Sequence, residues 1–346
     1  AKHAVTNNLS YNRVHLIFDY VEDYPIKRYS LQPGQIIHQT RRSIDFDPND
    51  PKCDPSYLPP HNEPLPSFII IGSQKCGTTS LYEYICQHPL VLRGKRRETH
   101  YFDWRWNDKL TTPEEHRNFY MNFYHTDALR KHQSIITGES TPSYLLHGDL
   151  VIPRIKSILP YSNVKFLVML RNPVARAFSQ YQMAIDNTGT PEQMATRGMS
   201  SYSNQSFEEI IEKEIKQLED AGINPDTPYE VLQQTILSTL PMKHGGHSIV
   251  LRGLYILQLK QWFEAYPNQI KVLSINDIKG TRQQIQSTLN EVFEFISLPP
   301  SDIEDVEPKN TRKYDPISEE TKIRLEEFYR PYNEKLFEYL GKTLEW

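Results

Sequence analysis

The feature that most limits what this chain can become is a strand that ends in a glycine loop. Phe68-Ile69-Ile70-Ile71 is apolar at every position, the pattern of a strand buried on both faces. It runs into Gly72-Ser73-Gln74-Lys75-Cys76-Gly77-Thr78-Thr79. From Ser80 the apolar positions Leu81, Tyr82 and Ile85 recur at helical spacing, up to a stop near His88-Pro89. Strand, glycine loop and helix in that order present backbone N–H groups at a helix N-terminus, which makes an anion site. Gly72 and Gly77 let the chain wrap closely, Lys75 adds a point charge, and Thr78 and Thr79 add hydroxyl donors. The glycines have the spacing of a nucleotide triphosphatase loop, G-x-x-x-x-G-K-[ST], but Gly77 is followed by Thr78 and not by lysine. No hydroxyl follows a lysine where magnesium would be held. The loop therefore reads as a site for a single phosphate, with no metal.

A second unit repeats the theme. Val164 to Leu170 is a strongly apolar strand, broken by Arg171-Asn172-Pro173. A helix is expected from Val174, with Ala175, Phe178 and Met183 among its apolar positions. Arg171 would stand at the carboxyl end of the strand, where open α/β sheets bind ligands. Arg176 and Ser179 share a helix face by their spacing of three. Arg171 with Ser179 could hold a second phosphate, so the two units together point to a nucleotide with phosphates at two separated positions.

Elsewhere, Phe207 to Leu218 reads as an amphipathic helix with Phe207, Ile210, Ile211, Ile215 and Leu218 as its apolar set. Helices are also expected over Ile249–Phe263 and Gln283–Phe295, a strand over Ile270–Ile275, and a helix over Leu325–Leu340 interrupted at Pro331. Strands separated by long helical segments give an α/β fold with a mainly parallel sheet flanked by helices. Residues 1–65 are expected to lie outside it. They form an extension with one short strand near Val14–Phe18, then a stiff connector, since residues 48–66 carry Pro48, Pro51, Pro55, Pro59, Pro60, Pro64 and Pro66. Residues 66–346 form the second, main domain.

Composition narrows the partners. Lys and Arg number 39 against 43 Asp and Glu, a net charge of -4, which gives no support for a nucleic-acid binder. No apolar run approaches the roughly eighteen residues of a membrane span. Cys53, Cys76 and Cys86 have no metal-ligand spacing, so no metal site is expected. An odd thiol count favours a reducing, cytoplasmic compartment, with the Golgi lumen as the alternative if a targeting segment has been removed. The oligomeric state is not legible.

The stretches Phe68–Leu81 and Val168–Ser179 resemble the two nucleotide motifs of the sulfotransferases, and more closely those of the carbohydrate type, such as heparan sulfate sulfotransferases and their bacterial relatives. The resemblance covers roughly residues 66–346. It implies a P-loop-containing, sulfotransferase-like fold and 3′-phosphoadenosine 5′-phosphosulfate (PAPS) as the sulfuryl donor. By that likeness Gly72, Lys75, Cys76, Gly77, Thr78, Thr79 and Ser80 surround the 5′-phosphosulfate, and Arg171 and Ser179 the 3′-phosphate. Leu251-Arg252-Gly253-Leu254-Tyr255 would approach the adenine side, which brings in Tyr255. Lys309-Asn310-Thr311-Arg312-Lys313 resembles a late basic loop that closes over the nucleotide, with Arg312 or Lys313 in phosphate contact.

Glu98 in Glu98-Thr99-His100-Tyr101-Phe102-Asp103 matches the family's catalytic glutamate. A carboxylate there can take the proton of an acceptor hydroxyl as it attacks sulfur. His100 is the alternative base, or orients Glu98 or the acceptor. Lys75 would stabilise charge on the leaving side. Arg93, Lys95, Arg96 and Arg97 precede Glu98 and could grip an anionic acceptor, Arg97 nearest to it. Glu139 and Ser140, in Gly138–Tyr144, are expected to line the acceptor cleft. The acceptor reads as a hydroxyl of a polysaccharide or oligosaccharide, with a small hydroxylated metabolite or lipid as the runner-up. Outside this class stand a nucleotide kinase or triphosphatase, against which the displaced lysine argues, and a non-catalytic nucleotide- or glycan-binding protein.

Overall fold

A strand without a polar face needs neighbours on both edges and cover on both faces, and Phe68–Ile71 finds them. The structure, a computed structural model, describes residues 64–132, 134–159, 164–188, 190–191, 194, 202, 204–235, 237, 247–309 and 316–346, and the backbone alone of three short strands nearer the N-terminus. Those three, Thr6–Asn8 (β1), Arg13–Leu16 (β2) and Tyr29–Ser30 (β3), pair antiparallel. β2 overlaps the strand expected at Val14–Phe18, and most of the proline connector lies outside the described residues.

The central sheet is all parallel. Phe68–Gly72 (β4) pairs with Gly138–Ser140 (β5) on one edge and with Lys165–Leu170 (β6) on the other, and Ile270–Ser274 (β7) continues beyond β6. The order is β5-β4-β6-β7. After β4 the chain crosses to one side and then returns to the other, so the topology switches between β4 and β6. The carboxyl ends at such a switch form the crevice where open α/β sheets bind ligands. Every side chain of β4 is buried, as are Phe166 to Leu170 in β6. Removing each such aliphatic side chain from water stabilises the fold by about 1.5–3 kcal/mol.

Among the described residues the helices are Thr78–Ile85 (α1), Pro113–Met121 (α2), Thr126–Lys131 (α3), Gly148–Ile158 (α4), Pro173–Ala184 (α5), Phe207–Asp220 (α6), Tyr229–Thr235 (α7), Tyr255–Ala265 (α8), Arg282–Phe295 (α9) and Glu319–Leu340 (α10). α1 packs against α9, and α8 against α4 and α10. In α6 the buried set is Phe207, Ile210, Ile211, Ile215 and Leu218, and a capping box of Ser206 and Glu209 sets its start. The Asn172 side chain accepts from the N–H of Val174 and Ala175, which starts α5 with Pro173 in its first turn.

Several expected boundaries move by one residue, and the helix expected from Leu325 begins at Glu319. α10 runs unbroken through Pro331. Proline forfeits one backbone bond, but Tyr329 and Tyr332 on either side are buried, and that packing carries the helix through. The helix expected from Ile249 begins only at Tyr255, because Leu251–Gly253 forms a 3-10 turn instead. Gly253 lies against Tyr329 there: a Cβ on it would sit 2.7 Å from that ring.

Candidate active site

The glycine loop leaves β4 at the switch point and is tied down at once. The Ser73 N–H donates to the Met169 carbonyl at 2.7 Å, which binds the loop to β6. A Cβ on Gly72 would lie 2.7 Å from the Leu145 Cβ and 3.0 Å from the Pro142 carbonyl, so only glycine fits. Gly77 takes a left-handed φ of 87° at the N-cap of α1, and Lys75 also lies in that region at 69°. The Leu81 N–H makes the bond to the Gly77 carbonyl. Thr78, Thr79 and Ser80 form the first turn of α1, at the positive end of the helix dipole.

The second motif meets the first. Arg171, half-buried at the end of β6, donates from Nη1 to the Lys75 carbonyl at 3.4 Å. The Tyr255 hydroxyl donates to the Arg171 carbonyl at 2.8 Å and lies 3.6 Å from the Cys76 sulfur. Burial pushes the Cys76 thiol up, so it is a neutral packing group between the two motifs. Ser179 is buried on α5, one turn beyond Arg176. Arg176 is fully buried and spends its guanidinium on Gln180 and the Ile249 carbonyl. The Lys309 N–H donates to the Ser80 hydroxyl at 2.9 Å, so the basic loop starts from the head of α1. Arg312 and Lys313 lie outside the described residues.

Glu98 stands beside this loop. Its Oε1 pairs with Arg97 Nη2 at 2.7 Å and its Oε2 lies 3.4 Å from His100 Nε2. The other ring nitrogen of His100 faces Asp103 Oδ2 at 3.1 Å. Asp103 is 1% exposed and also accepts from the Ser143 hydroxyl and the Trp104 N–H. Burial alone would lower the pKa of His100, but hydrogen bonds and charge from Asp103 and Glu98 outweigh it and hold it at about 9. His100 is thus an imidazolium near neutral pH, donating to a carboxylate at each end.

A sign follows for stability. The folded pKa lies above the ordinary imidazole value of about 6.5. The contribution of His100 to stability is therefore complete below that value, declines as pH rises, and is lost above about 9. We expect the unfolding free energies of the native protein and His100→Asn to converge between about pH 6 and pH 10 in denaturant titrations. A gap constant across that range would remove the assigned charge.

Glu139 and Ser140 are not at the cleft. Both are fully buried, beneath the segment that carries Glu98. Glu139 accepts from the hydroxyls of Thr141 at 2.6 Å, Thr99 at 2.7 Å and Tyr120 at 2.8 Å, and from the Thr99 N–H at 3.2 Å. Burial raises its pKa and these donors partly offset the rise. Its carboxylate clamps Thr99, the residue between Glu98 and His100. The Ser140 N–H donates to the Arg97 carbonyl at 2.8 Å, and its hydroxyl has no partner among the described residues. The reason is the cover over β5: Gly138–Ser140 is an edge strand of the sheet, yet all three of its residues are buried. Asp103 and Ser143 escaped the sequence reading. Their only early signal was the three-residue spacing of Asp103 from His100.

Arg97 ties the two halves together. It pairs with Glu98 and also donates to the Thr79 hydroxyl of the glycine loop. A cavity of about 600 Å³ lies elsewhere, along β7 between Phe263, Leu273, Glu291 and Tyr339, away from these groups. No described helix is long and apolar enough to cross a membrane.

Residues 65–324 match a family described as "Sulfotransferase domain". The chain is 26% identical to the membrane-associated sulfotransferase kil1 of Dictyostelium discoideum, over 82% of this chain and 66% of that protein. It is 24% identical to carbohydrate sulfotransferase 15 of Homo sapiens, over 80% and 54%, and 23% identical to human heparan sulfate glucosamine 3-O-sulfotransferase 5, over 82% and 74%. It thus spans between half and two thirds of the length of the first two. The crystal structure of a sulfotransferase from Alicyclobacillus acidocaldarius superposes with a TM-score of 0.52 at 22% identity, covering 81% of this chain and 97% of that one. That likeness concerns the fold.

Proposed function

Because this chain belongs to the sulfotransferase family, we propose that residues 66–346 transfer a sulfuryl group from PAPS to a hydroxyl of a polysaccharide or oligosaccharide, with Glu98 as base. The observation that carries the reading is the double engagement of Arg97, which puts the candidate base against the anion loop. The acceptor class rests on the likeness to carbohydrate sulfotransferases.

The residues fit such a donor. Gly72 and Gly77 keep the loop free of side chains where it bends, and Thr78, Thr79 and Ser80 follow at the positive end of the α1 dipole. Lys75 and Arg171 add positive charge at the carboxyl ends of adjacent strands. The loop with Lys75 would hold the 5′-phosphosulfate, Arg171 and Ser179 the 3′-phosphate, and Arg312 or Lys313 would close over them. When bound, the donor supplies the sulfuryl group and leaves as 3′-phosphoadenosine 5′-phosphate.

Glu98 would take the acceptor proton as the hydroxyl oxygen attacks. His100 is charged near neutral pH and already donates at both nitrogens, so its part is to aim Glu98. Glu139 and Asp103 brace the turn from below, which sets the rotamers before an acceptor arrives. Lys75 and the helix dipole offset charge on the leaving side.

Calorimetry tests the donor half directly. We expect 3′-phosphoadenosine 5′-phosphate, without magnesium, to bind at least about tenfold tighter than magnesium-ATP, since the loop lacks the lysine-hydroxyl pair of a triphosphatase. Tighter binding of magnesium-ATP, or binding of neither by folded protein, overturns the reading.

A further inference from the structure

His100 holds a backbone conformation that a residue with a Cβ adopts only under constraint. Its φ is 52°, in the left-handed region. Such a conformation persists where the surrounding structure holds it from both sides. On the upstream side the hold is Glu139, which accepts from the N–H and the hydroxyl of Thr99. On the downstream side it comes from a helix, α4, through Arg154.

Arg154 Nη1 donates to the carbonyls of Phe102 and Asp103, each at 2.8 Å. Its guanidinium lies 4.8 Å from the centre of the Trp106 ring, farther along the same loop. One cation on α4 thus grips the loop at three residues. Among the described residues no carboxylate pairs with Arg154, although the charges of Asp108, Asp103 and Asp149 bear on it. The side chain is half-buried, and burial lowers its pKa. A guanidinium drawn out of water and set on backbone carbonyls makes strong, charge-assisted bonds to them.

The grip bears on the ring. Asp103 Oδ2 faces His100 Nδ1 at 3.1 Å, and Glu98 Oε2 lies 3.4 Å from His100 Nε2. The Ser143 hydroxyl and the Trp104 N–H fix the Asp103 carboxylate, and Arg154 fixes the backbone that carries it.

We infer that Arg154 is a positioning residue for sulfuryl transfer: its grip on the Phe102 and Asp103 carbonyls keeps His100 in the left-handed conformation and, through the imidazole, keeps Glu98 aimed at the acceptor hydroxyl. Arg154 acts through His100 and not on a reacting atom. This rests on the reading of Glu98 as base.

Two readouts separate this part from plain packing. The first is the titration of the His100 ring by nuclear magnetic resonance, with isotope-labelled histidine and the signal assigned by its loss in His100→Asn. Glu98 and Asp103 are the carboxylates that face the ring, and Asp103 also lies in the field of Arg105, Arg154 and Arg252. Removing a cation from that field would, by charge alone, raise the pKa of His100. Losing the grip lets Asp103 drift from the ring, so the pKa falls from about 9 toward the ordinary value of about 6.5. The sign of the change therefore tells position from charge. The second readout is single-turnover transfer from PAPS to an unsulfated uronate-containing hexasaccharide, beside calorimetry with 3′-phosphoadenosine 5′-phosphate.

Arg154→Met should bring the pKa of His100 below about 8 and slow transfer about tenfold or more, with nucleotide affinity within about twofold of native. Arg154→Lys keeps the charge but loses the fork, and its ammonium falls about one bond short of Nη1. It should show the same changes to a smaller extent, about threefold in rate, and it carries the test if Arg154→Met fails to fold. A His100 pKa at or above about 9 in either folded variant overturns the grip. Native transfer beside a lowered pKa overturns its part in the reaction. Absence of transfer by native protein that binds the nucleotide counts against the function proposed above, and the titration still decides the grip.

Discussion

Glu98→Gln should lower kcat by about a hundred- to ten-thousand-fold, the usual worth of a positioned base, while leaving nucleotide affinity unchanged. The amide has the shape of the carboxylate but cannot take a proton. Its oxygen can still accept from Arg97, so the link to Thr79 survives and the loop keeps its place. The substitution therefore separates chemistry from binding. The readouts are single-turnover transfer and calorimetry with 3′-phosphoadenosine 5′-phosphate. Native turnover in Glu98→Gln would sink the base assignment and move it to His100. That outcome would require the imidazole to give up its proton against the pull of the remaining carboxylate, Asp103.

Lys75→Ala should lose on both counts. We expect transfer to fall by about a hundred- to thousand-fold, the scale of removing one electrostatic contact to a developing charge, with weaker nucleotide binding alongside. The comparison is clean on the backbone side. Lysine and alanine both carry a Cβ, so the left-handed φ of 69° at this position costs the folded state similarly in each. An unchanged thermal midpoint with lost binding assigns the effect to the ammonium group. Full nucleotide affinity in the variant would remove Lys75 from the anion site and leave the N–H groups of α1 and Arg171 to hold it.

Much of the sheet and its loop was legible because the signals are local. An all-apolar run such as Phe68–Ile71 has one way to bury itself, as a strand covered on both faces, and the glycines after it mark a turn that side chains cannot enter. The apolar set of α6 was legible for the same reason: a helical period of buried residues can be read without knowing what covers them. β5 was not legible as a strand, since Gly138–Ser140 is only three residues long and is held by pairing with β4. α10 hid its continuity because Pro331 is a local stop signal that distant packing overrules.

The sequence by itself determined that a strand, a glycine loop and a helix would follow one another, and that the chain would build an α/β layer around them. Those outcomes depend on residues within a few positions of one another. Only the tertiary structure decided which groups stand together across the chain. It put Arg97 between Glu98 and Thr79, drew Glu139 inward to clamp Thr99, and set His100 between two carboxylates. It also divided the basic residues ahead of Glu98, with Arg93 on Glu83 and Arg97 on Glu98 and Thr79. Burial and charge neighbours set that division, and both are properties of the packed molecule rather than of any stretch of sequence.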